Sequence, residues 1–165
     1  MNVTTMAVPR PGVQERILLH LRDYIDHADK VEVPFALSQM GIANAVAIAR
    51  SNVPRAIAGM REQGHLIERQ AHVTGVSRKR KAYFLTEEGA NIANDIWAKV
   101  STQPVRLVHP DGRSETLELA QALESTELPL RHVDFLRYLD DTGTVDLSTL
   151  SAELIERDLS KHIEK

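Results

Sequence analysis

Between Leu37 and Leu85 the apolar spacing changes character, and that change restricts the chain to few architectures. Leu37, Ile42 and Val46 fit one face of a short helix, with Ser38 placed to cap its start. Val53, Ile57 and Met60 repeat at helical spacing as the face of a second, with Ser51 placed to cap it. Gly64 stands where a helix closes in the left-handed conformation. About four residues, Ala47 to Arg50, separate the two helices. Beyond Gly64 the pattern becomes extended: Leu66 to Val73 and Arg80 to Leu85 read as strands, with Ile67 and Tyr83-Phe84-Leu85 as β-formers. Thr74-Gly75-Val76-Ser77-Arg78-Lys79 supplies the glycine and serine of a hairpin tip.

The flanks extend this core. Met1 to Gly12 reads as a disordered or extended lead-in. From Val13 a helix buries Ile17, Leu18, Leu21, Tyr24 and Ile25, and Val31-Glu32-Val33-Pro34 reads as an extended connector or short edge strand. Thr86 caps a further helix, where Glu87 and Glu88 suit the positive end of the dipole. Its face is Ile92, Ala93, Ile96, Trp97 and Val100. The order is helix, helix, helix, hairpin, helix, and two short helices on a tight turn describe a helix-turn-helix. From Gln103 the chain differs in kind. Val105 and Leu107 alternate up to a Pro110-Asp111-Gly112 turn, and helical segments follow at Leu117–Glu124 and Leu130–Leu139. A Thr144–Leu147 stretch leads to an amphipathic helix from Thr149 to the end, striped by Leu150, Leu154, Ile155, Leu159 and Ile163.

A net charge of −3 hides a gradient. Residues 1–100 hold 13 Lys/Arg against 10 Asp/Glu, whereas residues 101–165 hold 7 against 13. Within residues 50–81, eight basic groups face only two acids, Glu62 and Glu68. Such asymmetry points to a polyanion partner when the cations share one surface. The absence of cysteine removes disulfides, thiolate metal sites and a cysteine nucleophile. No stretch approaches the 18 or so apolar residues of a membrane span. The N-terminus lacks the organisation of a signal peptide, and a cytoplasmic location is the default expectation.

Ile42-Ala43, Ile48, Arg50-Ser51-Asn52-Val53, Arg55, Met60, Gly64-His65-Leu66-Ile67 and Tyr83 to Gly89 form a signature. On it, residues 37–89 resemble the winged helix-turn-helix family, specifically MarR-like domains. The same stretch is similar to winged-helix modules at the front of some archaeal multidomain ATPases. The resemblance implies an α+β, mostly helical fold: three helices and a two-stranded wing over residues 13–100. Residues 1–12 then form a lead-in, and acidic residues 101–165 a small C-terminal α/β appendage. Two positions depart from the family pattern. Ala47 stands where members usually have glycine, which costs about 1 kcal/mol if φ is positive. Pro54 lies in the first turn of the recognition helix, where the N–H groups lack intrahelical partners anyway.

The resemblance implies binding of double-stranded DNA, with the second helix in the major groove. Its outward face is Asn52, Pro54, Arg55, Ala58, Gly59 and Glu62. Asn52 and Arg55 are the base readers, asparagine pairing with adenine and arginine with guanine. Arg78, Lys79, Arg80 and Lys81 sit at the wing, with Arg69 on the opposing strand, as contacts to phosphates or the minor groove. Arg50, Ser51, Asn52, Pro54, Arg55, Arg69, Arg78, Lys79, Arg80 and Lys81 are therefore the expected DNA-binding set. So sparse a reading face favours a homodimer, through the Thr86–Val100 helix and the terminal helix. A competing reading makes the fold a protein-interaction or regulatory module of a larger ATPase-type protein, engaging a partner through residues 101–165. A small-molecule-sensing role for that region has no motif behind it.

Chemistry-bearing alternatives are weak. His20, Asp23 and His27 share helical spacing but have no further clustered ligand, and read as a solvated face. His65 and His72 read as strand residues pointing to opposite faces. Asp134, Asp140 and Asp141 read as helix-end solvation, and Trp97 as core or dimer contact. No glycine-rich phosphate loop with a lysine is present. The expectation is a non-enzymatic protein with no cofactor and no metal.

Overall fold

The structure is a computed structural model that describes residues 10–154. These residues divide into two compact units, one of Pro11–Val100 and the other of residues 101–154 with Arg10. Residues 1–9 of the lead-in, and Ile155, Leu159 and Ile163 of the terminal stripe, lie outside the described residues.

In the first unit, α1 (Val13–Arg22) buries Ile17, Leu18 and Leu21 as the spacing requires, together with Leu19. The helix stops at Arg22, and Ile25 falls in a separate short 3-10 turn with 44% of its surface exposed. Pro11 and Gly12 belong to this unit rather than to a loose lead-in. The Gly12 carbonyl accepts from Arg16 N at 2.9 Å, and the Pro11 carbonyl from Arg16 Nη1 at 2.8 Å. The expectation of a solvated His20 is also corrected: it is fully buried, with Nε2 2.7 Å from the Ala36 carbonyl oxygen. Its partner is backbone from a distant turn, which spacing along α1 cannot reveal.

Helix α2 (Gln39–Val46) starts where the hydroxyl of Ser38 accepts from Gly41 N at 3.1 Å. It ends at Ala47, whose φ of 59° and ψ of 53° are left-handed. Ile48 N–H then reaches back to the Ala43 carbonyl at 3.1 Å, the bond of a Schellman closure. Helix α3 (Val53–Glu62) corrects the cap assigned to Ser51. A 3-10 turn at Arg50–Asn52 leads straight into it, so the chain turns helical after Ala49 and Ser51 lies inside the turn. A residue with helical backbone cannot act as the extended N-cap. Val53, Ile57 and Met60 are buried, and α3 closes at Gly64 with φ of +81°.

Strands β2 (Leu66–Val73) and β3 (Arg80–Leu85) pair antiparallel, Leu66 opposite Leu85 and Ala71 opposite Arg80. The wing carries a third strand, because β1 (Glu32–Val33) pairs parallel with β2 at His72 and Val73. Thr86 caps α4 (Glu87–Val100), its Oγ1 accepting from Gly89 N at 3.0 Å. Ala93 and Val100 are buried, while Ile92, Ile96 and Trp97 are half-buried. The guanidinium of Arg22 lies 5.8 Å from the Trp97 ring centre. His65 precedes β2 and is half-buried, whereas His72 is exposed.

The second unit is built on a small sheet of order β5-β4-β6. β4 (Pro104–Val108) and β5 (Ser114–Glu118) form the expected hairpin, with Gly112 at φ +89° in its turn. The helix expected over Leu117–Glu124 begins only at Leu119: α5 is Leu119–Ser125, and Leu117 pairs with Val105 as strand. The segment expected at Leu130–Leu139 shortens to α6 (His132–Leu136), and β6 (Thr144–Asp146) adds parallel to β4. Helical residues follow from 147 to 154. Asp140 organises the turn before β6, its Oδ1 accepting from Thr142 N at 2.8 Å and Thr144 N at 3.0 Å. Burial alone would raise this carboxyl, but those bonds and one from the Thr142 hydroxyl outweigh it and hold it below the usual carboxylate value. The architecture as a whole is α+β, with a winged helix-turn-helix as its larger unit.

The left-handed Ala47 yields a stability prediction. Its side chain is exposed, so Ala47→Gly removes the Cβ conflict without opening a cavity. After the greater freedom of glycine in the unfolded chain is offset, the gain should be roughly 0.5–1 kcal/mol. Urea unfolding should show a raised midpoint. An unchanged or lowered midpoint would contradict the account of the turn.

Candidate nucleic-acid interface

The turn before α3 and the wing meet around one groove of about 680 Å³. Arg50, in the 3-10 turn, lines it with Lys79, Arg80 and Lys81 of the wing. Arg78 is exposed beside them at the tip. Strand β3 begins at Arg80, so only Arg78 and Lys79 belong to the loop; Arg80 and Lys81 sit in the ladder opposite Ala71 and Gln70. Among the described residues, none of Arg50, Arg55, Arg78, Lys79, Arg80 and Lys81 is paired with a carboxylate. Uncompensated cations around one concavity produce a positive field that the net charge of the chain conceals.

On α3 the exposed residues include Asn52 at its start and Pro54, Arg55, Ala58 and Glu62 along its face. Gly59 does not belong with them. It is half-buried, and a Cβ there would lie 3.7 Å from Gln14 Nε2 on α1. Ser51 is exposed within the turn that carries Arg50.

Arg69 is corrected from a DNA contact to a structural clamp. Its Nη2 donates to the carbonyls of Ala28 at 2.8 Å and Lys30 at 2.7 Å, and Nε donates to Ala28 at 3.2 Å. The guanidinium carbon lies 4.3 Å from the centre of the Phe84 ring. A planar fork stacked on an aromatic face and spent on two carbonyls ties β2 to the segment that enters β1. Reading Arg69 as a groove cation failed because its partners lie some forty residues upstream on irregular backbone.

The groove also contains residues absent from the expected set. Gln39 from the first turn of α2 and Gln70 from β2 line it, with Phe35 and Met40 as apolar wall. Phe35 and Met40 are 41% and 42% exposed, unusual for large apolar side chains. The available signal was the position of Gln39 just after Ser38, at the start of the helix that crosses the backbone in helix-turn-helix proteins. Gln39 Nε2 donates to the hydroxyl of Tyr83 at 2.9 Å. The Tyr83 ring is buried, and Glu68 is its cross-strand neighbour. Glu68 in turn pairs with Arg61 of α3 at 3.3 Å. Burial pushes the Tyr83 phenol above its usual value, the Gln39 bond partly opposing it, and the group stays protonated at neutral pH. Among the described residues no group of three or more His, Cys, Asp or Glu could hold a metal ion. No helix among them is long and apolar enough to cross a membrane.

No family model and no curated protein matches the sequence. Several solved structures are similar. The zinc-responsive MarR family member ZitR of Lactococcus lactis aligns over 93% of this chain and 83% of its own, at 17% identity and a TM-score of 0.46. A MepR mutant of S. aureus aligns over 93% and 78%, at 15% identity and 0.43. A candidate DNA-binding protein from Ralstonia eutropha aligns over 52% and 94%, at 22% identity and 0.38. All three TM-scores lie under 0.5, and the winged-helix assignment rests on the element order and ladder register of this chain.

The clamp role of Arg69 predicts a stability defect. Arg69→Ala should cost about 2 kcal/mol, since hydrogen bonds from a charged donor contribute more than neutral ones. Arg69→Lys keeps the charge but not the fork, and should lose nearly as much. Chemical denaturation checks both. A full-stability Arg69→Lys variant would return Arg69 to the role of a simple cation.

Proposed function

We propose that this chain is a DNA-binding transcription regulator that grips duplex DNA between α3 and the wing. The observation that carries the reading is the groove where Arg50 meets Lys79, Arg80 and Lys81, without a neutralising carboxylate among the described residues. Phosphates provide the complementary charge, and displaced counterions make such binding strongly salt-dependent. Asn52 and Arg55 are the exposed side chains of α3 suited to base edges, arginine for guanine and asparagine for adenine. Arg50, Ser51 and Pro54 flank them at the start of the helix, and Arg78 extends the cationic tip.

Two base readers per chain provide little discrimination, so the reading includes two copies on two half-sites. The wing then contributes affinity and α3 register. No observation specifically favours the rival role as a protein-interaction module through residues 101–165.

Replacing Arg78, Lys79, Arg80 and Lys81 together with alanine should weaken binding to mixed-sequence duplex. The slope of log affinity against log salt should fall by about 0.9 for each phosphate that is no longer neutralised. Mobility shifts at several salt concentrations measure this, and the stoichiometry at saturation reports the number of chains per site. An unchanged slope with a folded variant would remove the wing from the interface.

A further inference from the structure

Gln39 joins two features that are otherwise separate: it lines the basic groove, and it is held by a buried tyrosine. Tyr83 is 1% exposed, its hydroxyl takes the Gln39 amide, and Glu68 is its cross-strand neighbour on β2. A phenol has one proton to donate. The hydroxyl also accepts, here from Gln39 Nε2, so the amide stands with its nitrogen toward the tyrosine. Amide orientation in proteins is assigned from just such networks. The second N–H and the carbonyl oxygen of Gln39 take no part in that bond, and the side chain that carries them lines the groove.

Glu68, opposite Tyr83 in the ladder, is itself held by α3. Arg61 of α3 donates to Glu68 Oε1 at 3.3 Å. The Gln39–Tyr83 bond thus ties the first turn of α2 to β3, and the Arg61–Glu68 pair ties the neighbouring strand β2 to the last turn of α3. A buried hydroxyl is costly to leave without its partner, and a partly exposed glutamine is not needed for the core. Its place in the network makes sense as a means of fixing the amide where a ligand meets it.

We infer that Gln39 is a neutral hydrogen-bonding contact to the DNA backbone in this groove, and that Tyr83 is its positioning residue. This rests on the DNA-binding reading above. The ligand group is a phosphate or sugar oxygen, for which the second N–H is the donor. A neutral donor displaces no counterion, so its contribution to affinity leaves the salt slope untouched. That separates it from every wing cation. Tyr83 acts only through Gln39, so removing its hydroxyl matters only while the amide is present.

The test is a double-mutant cycle with Gln39→Ala, Tyr83→Phe and both together, titrated onto mixed-sequence duplex at several salt concentrations. Thermal midpoints of each variant are recorded alongside. Gln39→Ala should weaken binding about three- to tenfold, as expected for one neutral hydrogen bond, with the salt slope unchanged. Tyr83→Phe should give a loss of the same order, and the double variant should be no weaker than Gln39→Ala alone. A merely structural role for Tyr83 would lower the midpoint and weaken binding equally in both backgrounds, and that additivity would overturn the positioning claim. Wild-type affinity in Gln39→Ala would overturn the contact itself. If the wild-type chain binds no duplex, the DNA-binding reading and this inference fall together; if it binds, only the variants decide.

Discussion

The geometry of the winged-helix unit depends on how α2 ends. A helix leaves its last carbonyls without partners, and here two groups supply them. Ala47 takes the left-handed conformation that sends Ile48 N–H back to Ala43, and the Arg16 guanidinium donates to Val46 O at 3.1 Å. The chain is thereby turned through one tight corner into the Arg50–Asn52 turn and α3. The faces of α2 and α3 can then enter a single core with Ile17, Leu21 and Phe84. Fully burying one such aliphatic side chain contributes about 1.5–3 kcal/mol, enough in sum to hold an alanine in a conformation it disfavours. The exposed side of α3 is a by-product of that burial: what the core does not take is left for a ligand.

Charge is distributed by the same logic. Arginines that find partners inside the unit become structural: Arg16 at the corner, Arg69 on two carbonyls, Arg61 on Glu68. Among the described residues, Arg50, Arg55 and Arg78 to Lys81 have no carboxylate partner. Sorting by partner, rather than by position in the sequence, separates fold from interface. It also explains how a chain with a net charge of −3 presents a positive concavity.

Much of this was legible in the residues, for local reasons. Ser38, Thr86 and Gly64 act within a few positions of themselves, so caps and closures could be read from spacing. The same holds for the two-residue alternation that ends at Gly112. The failures share a cause, which is tertiary partnership. His20 looked solvated because its carbonyl partner lies sixteen residues away. Arg69 looked like a groove cation because nothing nearby in sequence could hold it. Ser51 resembled a cap until the 3-10 turn began one residue too early, and Leu117 suited a helix or a strand until Val105 chose for it. Gln39 carried only the signal of its place just after Ser38, and the groove and Tyr83 give it a role.

The surface assignment is tested most directly by amide hydrogen exchange of the intact chain with and without a saturating mixed-sequence duplex. The account predicts slowed exchange at the start of α2, across Arg50–Arg55 and along Val76–Lys81, with β4, β5 and β6 unchanged. Protection confined to residues 104–146, or none at the wing and at the start of α3, would contradict it.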